Sequence, residues 1–137
     1  MTLLQVILFF LVGITIISCG DDPTSPPNID PHNVSKINFI YYPLSSGMYT
    51  TPQSEKIEMK RELYQAFCEE LANSTAVDTL KRENCFWIEI IFNDNTVVSL
   101  VGRGKFFLNE YGEYLYFEAH NNLVEKYFNI REEDFCE

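Results

Sequence analysis

Hydrophobic and polar positions along most of the chain follow one of two periods, and the switches between them outline its elements. Residues 35–44, SKINFIYYPL, set Ile37, Phe39 and Tyr41 on one side and Asn38, Ile40 and Tyr42 on the other, with Pro43 ending regular pairing. A period of two predicts a strand. Ser45-Ser46-Gly47 carries turn chemistry, and Thr51-Pro52 offers an N-cap followed by a first-turn proline. Over 52–73 the period lengthens: Met59, Leu63, Phe67 and Leu71 recur every four residues, with Tyr64 and Cys68 on the adjoining row. Glu55, Glu58, Glu62 and Glu69 fall opposite, so the spacing predicts an amphipathic helix with a solvated acidic face.

After a connector at 73–84 the short period returns. In 85–92, Phe86, Ile88, Ile90 and Phe92 face one way and Trp87, Glu89 and Ile91 the other. Asn93-Asp94-Asn95 reads as a turn, since Asn and Asp tolerate left-handed backbone. A return strand follows at 96–101, then a turn at Gly102-Arg103-Gly104 and strands at 105–109 and 114–118 around a turn at 110–113. Short turns between consecutive strands make an antiparallel meander. Asn121-Asn122 caps a second helix with Leu123, Val124, Tyr127 and Phe128 on one stripe, and a charged tail closes the sequence at 130–137. The predicted fold is α+β: an antiparallel sheet of about five strands, in the order strand, helix, four strands, helix, with the first helix packed on one face.

Two stretches fall outside both periods. Residues 20–33, GDDPTSPPNIDPHN, hold four prolines and no aromatic residue, a composition that reads as an extended, partly stiff tether. Before them, 1–20 contain no charged side chain, and the apolar run LLQVILFFLVGITIISC ends in small residues, the pattern of an export signal. Ile16-Ile17-Ser18-Cys19 resembles the lipobox of bacterial lipoproteins: an aliphatic residue, a tolerant position, a small residue, then Cys. The resemblance implies cleavage before Cys19, which would be the first mature residue and the point of lipid attachment. The region before the apolar run, Met1-Thr2, lacks the positive charge usual in such signals. Asp21-Asp22, just behind the Cys, is similar to the surface-export signal of some Gram-negative lipoproteins and equally reads as a solvated acidic linker. The expected organisation is a signal peptide at 1–18, a lipid-anchored Pro-rich tether at 19–34 and a single α+β domain at 35–137. The domain is expected in the cell envelope, lipid-anchored outside the cytoplasmic membrane, with the outer membrane and the cell surface both open to it.

The formal net charge of −10 falls on the part after Cys19. That balance speaks against nucleic-acid partners, whose phosphates are met by clustered Lys and Arg. It suits solubility and basic partners.

Chemistry-bearing residues are sparse. After the tether the only His is His120, too little for a nucleophile–base–orienter set. Cys68, Cys85 and Cys136 lack the short pairwise spacing of a zinc site, and Gly102-Arg103-Gly104 lacks the rest of a phosphate loop. No cofactor or metal is expected. In an exported chain thiols are expected to pair. Cys68 near the helix end and Cys85 at the next strand form the expected disulfide, with Cys136 free or intermolecular. Alternation also divides the sheet into two faces. One carries Phe86, Ile88, Ile90, Phe92, Val98, Leu100, Leu115 and Phe117 and is expected beneath the first helix. The other, the candidate binding face, carries Trp87, Glu89, Phe107, Tyr114, Tyr116 and Glu118, aromatics beside carboxylates that suit a protein or glycan partner. The competing expectation is that the second helix or Phe135 of the tail covers it. The expected function is a lipid-anchored, non-enzymatic binding or accessory module. The alternatives are an enzyme acting on envelope glycan or polymer through Glu89 and Glu118, and a purely structural lipoprotein.

Overall fold

The computed structural model of the chain describes residues 25–42, 54–77, 83–109 and 116–136. The expected signal peptide, Cys19, Asp21-Asp22, Pro43, the turns at 45–47 and 110–113, Thr51-Pro52, Tyr114 and Leu115 lie outside the described residues.

The nine regular elements are β1 (Val34–Tyr41), β2 (Glu55–Glu58), α1 (Tyr64–Ala72), β3 (Thr75–Val77), β4 (Phe86–Phe92), β5 (Val97–Arg103), β6 (Phe106–Asn109), β7 (Tyr116–Glu118) and α2 (Leu123–Phe128). The strands form one open, wholly antiparallel sheet in the order β2-β1-β4-β5-β6-β7-β3. The α+β class expected from the periods is therefore observed, with seven strands among the described residues where about five were expected.

The two extra strands are the edges. Glu55–Glu58 was expected in the first turn of the helix, but it pairs with β1, placing Ile57 across from Phe39. Met59 N–H donates to the Ile37 carbonyl at 2.8 Å, which completes this ladder. The four-residue spacing of Met59 with Leu63 misled because Met59 is buried from the strand end, whereas α1 begins only at Tyr64 after a 3-10 turn at Arg61–Leu63. Thr75–Val77, within the expected connector, pairs with β7 as the opposite edge. Both edges are guarded against further pairing, β2 by charged side chains and β3 by being three residues long.

A bulge in β1 sets which residues reach the core. Val34 stands opposite Phe92 and Lys36 opposite Ile91, so Ser35 is the extra residue. The bulge turns Val34 inward along with Ile37 and Phe39, although simple alternation would have sent it out with Lys36. Asn93-Asp94-Asn95 links β4 to β5, as expected. Asn95 takes the left-handed conformation (φ 66°), and Asp94 Oδ1 accepts from Thr96 N–H at 3.0 Å and Thr96 Oγ at 2.6 Å.

The core face of the sheet is covered by α1, α2 and the C-terminal tail together. The chain leaves β2 at one edge, crosses this face through α1 and enters β3 at the other edge. Phe67 and Leu71 of α1 and all four apolar residues of α2 share one cluster with Ile37, Phe39, Ile88, Ile90, Leu100 and Phe107. Phe67 and Tyr127 meet edge to face at 5.1 Å between ring centroids. Asn122 caps α2 by accepting from Glu125 N–H at 3.1 Å, and Asn129 ends it in the left-handed conformation. Phe135 of the tail sits against Phe39 at 5.1 Å and Tyr41 at 6.0 Å. The expectation that α2 or Phe135 lies on the opposite face is thus corrected.

The tail is fixed covalently. Cys136 is bonded to Cys85, with their Cα atoms 5.4 Å apart, while Cys68 is a buried free thiol. The expected Cys68–Cys85 bridge is corrected: Cys68 is buried on α1 with its thiol free, and burial pushes its pKa up to about 11, which suits an inert thiol. The domain also starts before residue 35. Ile29 packs on the core, and the 3-10 turn Pro31–Asn33 is tied to the β4–β5 turn through Asn93 N–H to the Asn33 carbonyl at 2.8 Å.

Candidate functional site

Residues directly opposite each other in an antiparallel ladder point to the same side, so the registers define the uncovered face row by row. One row runs Lys56, Ile40, Trp87, Val101 and Leu108 across β2, β1, β4, β5 and β6. Beside it runs a polar row of Glu58, Asn38, Glu89 and Ser99. Beyond the polar row lie Lys36, Ile91 and Val97, and on the other side of the Trp87 row lie Arg103, Phe106, Glu118 and Thr75. Among the described residues, no buried residue of α1, α2 or the tail joins these rows; Phe128 and Phe135 meet rings of the core face, and Phe67 meets Tyr127.

Relief on this face is uneven. Trp87 is 41% exposed and Val97 45%, whereas Asn38 and Ser99 are buried and Glu89 is only one-fifth exposed at its side chain. The indole thus stands above a recessed polar trough. Charges here are matched across strands: Lys56 Nζ lies 3.6 Å from Glu89 Oε2, Lys36 Nζ lies 3.9 Å from Glu58, and Lys105 pairs with Glu118. Arg103 reaches away to Glu132 at 3.5 Å.

Of the six residues expected on this face, Trp87, Glu89 and Glu118 lie on it exposed or half-buried. Tyr116 points to the same side but is buried, its hydroxyl donating to Asn84 Oδ1 at 3.1 Å. Tyr114 is outside the described residues. Phe107 is a correction: it is fully buried on the core face, stacked on Phe117 at 5.7 Å. The cause is a register shift. The expected turn Gly102-Arg103-Gly104 is instead Gly104-Lys105, with Arg103 opposite Phe106 and Gly104 at φ +62° in the first turn position, as a type II′ hairpin demands. Moving a turn by one residue exchanges the faces, so Phe106 takes the place foreseen for Phe107.

Glu89 and Glu118 are not brought together. β4 and β7 are separated by β5 and β6, a lateral distance of about 14 Å at roughly 4.8 Å per strand. Acid–base carboxylate pairs of glycosidases stand at about 5–9.5 Å.

A second constellation escaped the sequence reading. Glu70 of α1 has an almost fully buried carboxylate that accepts from Asn121 N–H and Asn121 Nδ2, each at 2.8 Å, from Lys126 Nζ at 3.0 Å and from the Tyr127 hydroxyl. Burial alone would raise its pKa; the hydrogen bonds from Tyr127, Asn121 and Lys126 outweigh that and hold it below the ordinary carboxylate value. Burial, and then the bond to Glu70, push the Tyr127 phenol far above its usual range. Every partner of Glu70 comes from the α2 region and every oxygen is engaged, so the cluster fastens α2 to α1. Asn, Lys and Tyr at 121, 126 and 127 carried no signal by which sequence alone pairs them with residue 70.

A third feature is an open groove beside the disulfide, lined by Arg103, Glu125, Asn129, Ile130 and residues 131–133. Its charges satisfy one another: Glu132 accepts from Asn122 Nδ2 at 2.9 Å and pairs with Arg103, Glu125 accepts from Glu132 N–H at 3.1 Å, and Arg131 pairs with Glu133 at 2.7 Å. Glu132 also lies close to both disulfide sulfurs, but those sulfurs are spent on each other.

Comparison with protein-family models, with curated proteins and with solved structures gives no match. Of the three features, only the uncovered sheet face presents groups that the fold itself does not consume.

Proposed function

We propose that this chain is a lipid-anchored domain held outside the cytoplasmic membrane, and that it works by binding, with the uncovered face of its sheet as the contact surface. The observation that carries the reading is the asymmetry of that sheet. One face is sealed by α1, α2 and the tail, while the other presents Trp87 above the Asn38, Glu89 and Ser99 trough. Trp87 is 41% exposed, and aromatics with polar neighbours are the usual means of holding a partner. The address is supported by two independent features. The Ile16-Ile17-Ser18-Cys19 junction closes an uncharged apolar run, and Cys85–Cys136 is a bridge of the kind that persists in oxidising compartments. Catalysis by Glu89 and Glu118 is not part of the proposal, since two strands stand between theirs.

Mass spectrometry of the protein isolated from its native membrane tests the address. The expected mature N-terminus is an acylated Cys19, and Cys19→Ala should accumulate an unprocessed precursor. A mature protein that retains Met1, or one that begins downstream of Cys19 without lipid, refutes it.

A further inference from the structure

The uncovered face is electrostatically different from the chain that carries it. Its described charges fall in opposite pairs, Lys36–Glu58, Lys56–Glu89, Lys105–Glu118 and Arg103–Glu132, so they sum to zero within a chain of net −10. The matched pairs already described lie around and beside Trp87. A polyanion finds no positive field here, and a basic segment finds a stronger attraction on the acidic remainder of the surface.

The composition also argues against a dry protein interface. Lys and Glu are depleted at the centre of such interfaces, because stripping water from an ion pair costs more than the pair returns. Here Lys56–Glu89 adjoins the only exposed tryptophan, so a dry partner over Trp87 would have to bury it. A neutral, hydroxyl-rich ligand avoids that cost. The apolar face of a sugar ring can lie on the indole, flanked by Ile40 and Val101. Its hydroxyls can donate to Glu89 and accept from Lys56, leaving both charges hydrogen-bonded and wet.

Resting on the reading of this face as the binding surface, we propose that its ligand is a neutral glycan, with one sugar ring stacked on Trp87 and its hydroxyls held by Glu89 and Lys56.

Trp87 is the only tryptophan of the chain, so its emission reports on this site alone. The test is a fluorescence titration of the full chain in detergent micelles with neutral oligosaccharides: a β-linked glucan, an α-linked mannan and N-acetylhexosamine oligomers. Heparin is the polyanionic control. The expected result is a saturable blue shift and protection from acrylamide with at least one neutral series, and none with heparin. Trp87→Ala, followed by affinity electrophoresis, should weaken retention by roughly tenfold or more, as loss of a stacking platform does. Glu89→Gln should weaken it several-fold with unchanged thermal unfolding. If acrylamide quenches Trp87 freely but no neutral series shifts it, the glycan inference fails and the open face stands. If Trp87 is shielded without any ligand, the open-face reading itself fails. Equal binding of heparin, or retention unchanged in Trp87→Ala, also overturns the glycan proposal.

Discussion

The Cys85–Cys136 bridge closes a loop of 51 residues in sequence separation, spanning β4 to β7, α2 and the tail. In the chain-entropy model a loop of that size raises the free energy of the unfolded chain by about 4 kcal/mol at room temperature. A domain of this length is stable by about 5–15 kcal/mol in total, so the bridge is expected to supply a large share. It also holds Phe135 against Phe39 and Tyr41 at the end of the core next to the β2 edge. The perturbation is the double variant Cys85→Ser/Cys136→Ser, which leaves no unpaired exposed thiol among the described residues. With a urea slope of about 2 kcal/mol per molar, its unfolding midpoint should fall by about 2 M relative to the oxidised wild type. Adding a dithiol reductant should bring the wild type down to the same midpoint and leave the double variant where it was. Phe135→Ala separates covalent strap from packing. It should lose about 3 kcal/mol whether or not reductant is present, because its contribution is buried area and cavity. A double variant within about 1 kcal/mol of the wild type refutes the reasoning. So does a non-reducing peptide map that joins Cys68 to Cys85.

Two further outcomes follow from the core face. Glu70 has a carboxyl pKa lowered by folding, so its stabilising effect is complete above the ordinary carboxylate value and is lost as pH falls through the lowered one. Urea midpoints of Glu70→Gln should therefore change less between neutral and acidic pH than those of the wild type, and Glu70→Ala should cost about 1–3 kcal/mol at neutral pH by leaving the Asn121 N–H and Nδ2 without their acceptor; identical acid profiles for Gln and wild type refute this. Gly102 lies under Phe86, where an added Cβ would strike the Phe106 carbonyl oxygen and sit 2.7 Å from Phe86 Cζ. Gly102→Ala should cost about 2–3 kcal/mol in thermal unfolding, and a neutral result would place the β5–β6 register in error.

What the sequence disclosed, and what it hid, follows from which forces are local. The alternation in β1 and β4, the Asn95 turn and the Asn122 cap depend on residues close in the chain, and each was legible. The edge strands were not. Glu55–Glu58 has one apolar residue, so nothing local marks it as a strand; Phe39 opposite Ile57 does that. Thr75–Val77 is too short for a period and exists because β7 offers it a ladder. Trp87 and Glu89 were placed on their face by parity alone. Phe107 was misplaced by the same parity, because two glycines stood two residues apart and it is Gly104, at φ +62°, that takes the turn position, while Gly102 stays in the ladder opposite Phe86 and Phe107. The Glu70 cluster and the Cys85–Cys136 pairing join positions more than fifty residues apart. Neither could be read from spacing.

Among the described residues, the devices that fasten the helices and the tail are on one side of the sheet. The disulfide fixes the tail, Glu70 fastens α2 to α1, and Gly102 lets Phe86 and Phe107 close over the core. On the other side the strand charges pair across strands at separations up to 3.9 Å, with their lysines more than half exposed, geometries whose contribution to stability is about 0–1 kcal/mol each. A sheet whose fold is secured from one face is free to vary the other with little loss of stability. That division is why Trp87 can stand exposed without being needed for packing, and why a change at Trp87 or Glu89 reads out on binding while a change at Cys136 or Glu70 reads out on folding. The Cys68 thiol of α1 belongs with Cys136 and Glu70: buried, uncharged at neutral pH, and packed as a small apolar side chain.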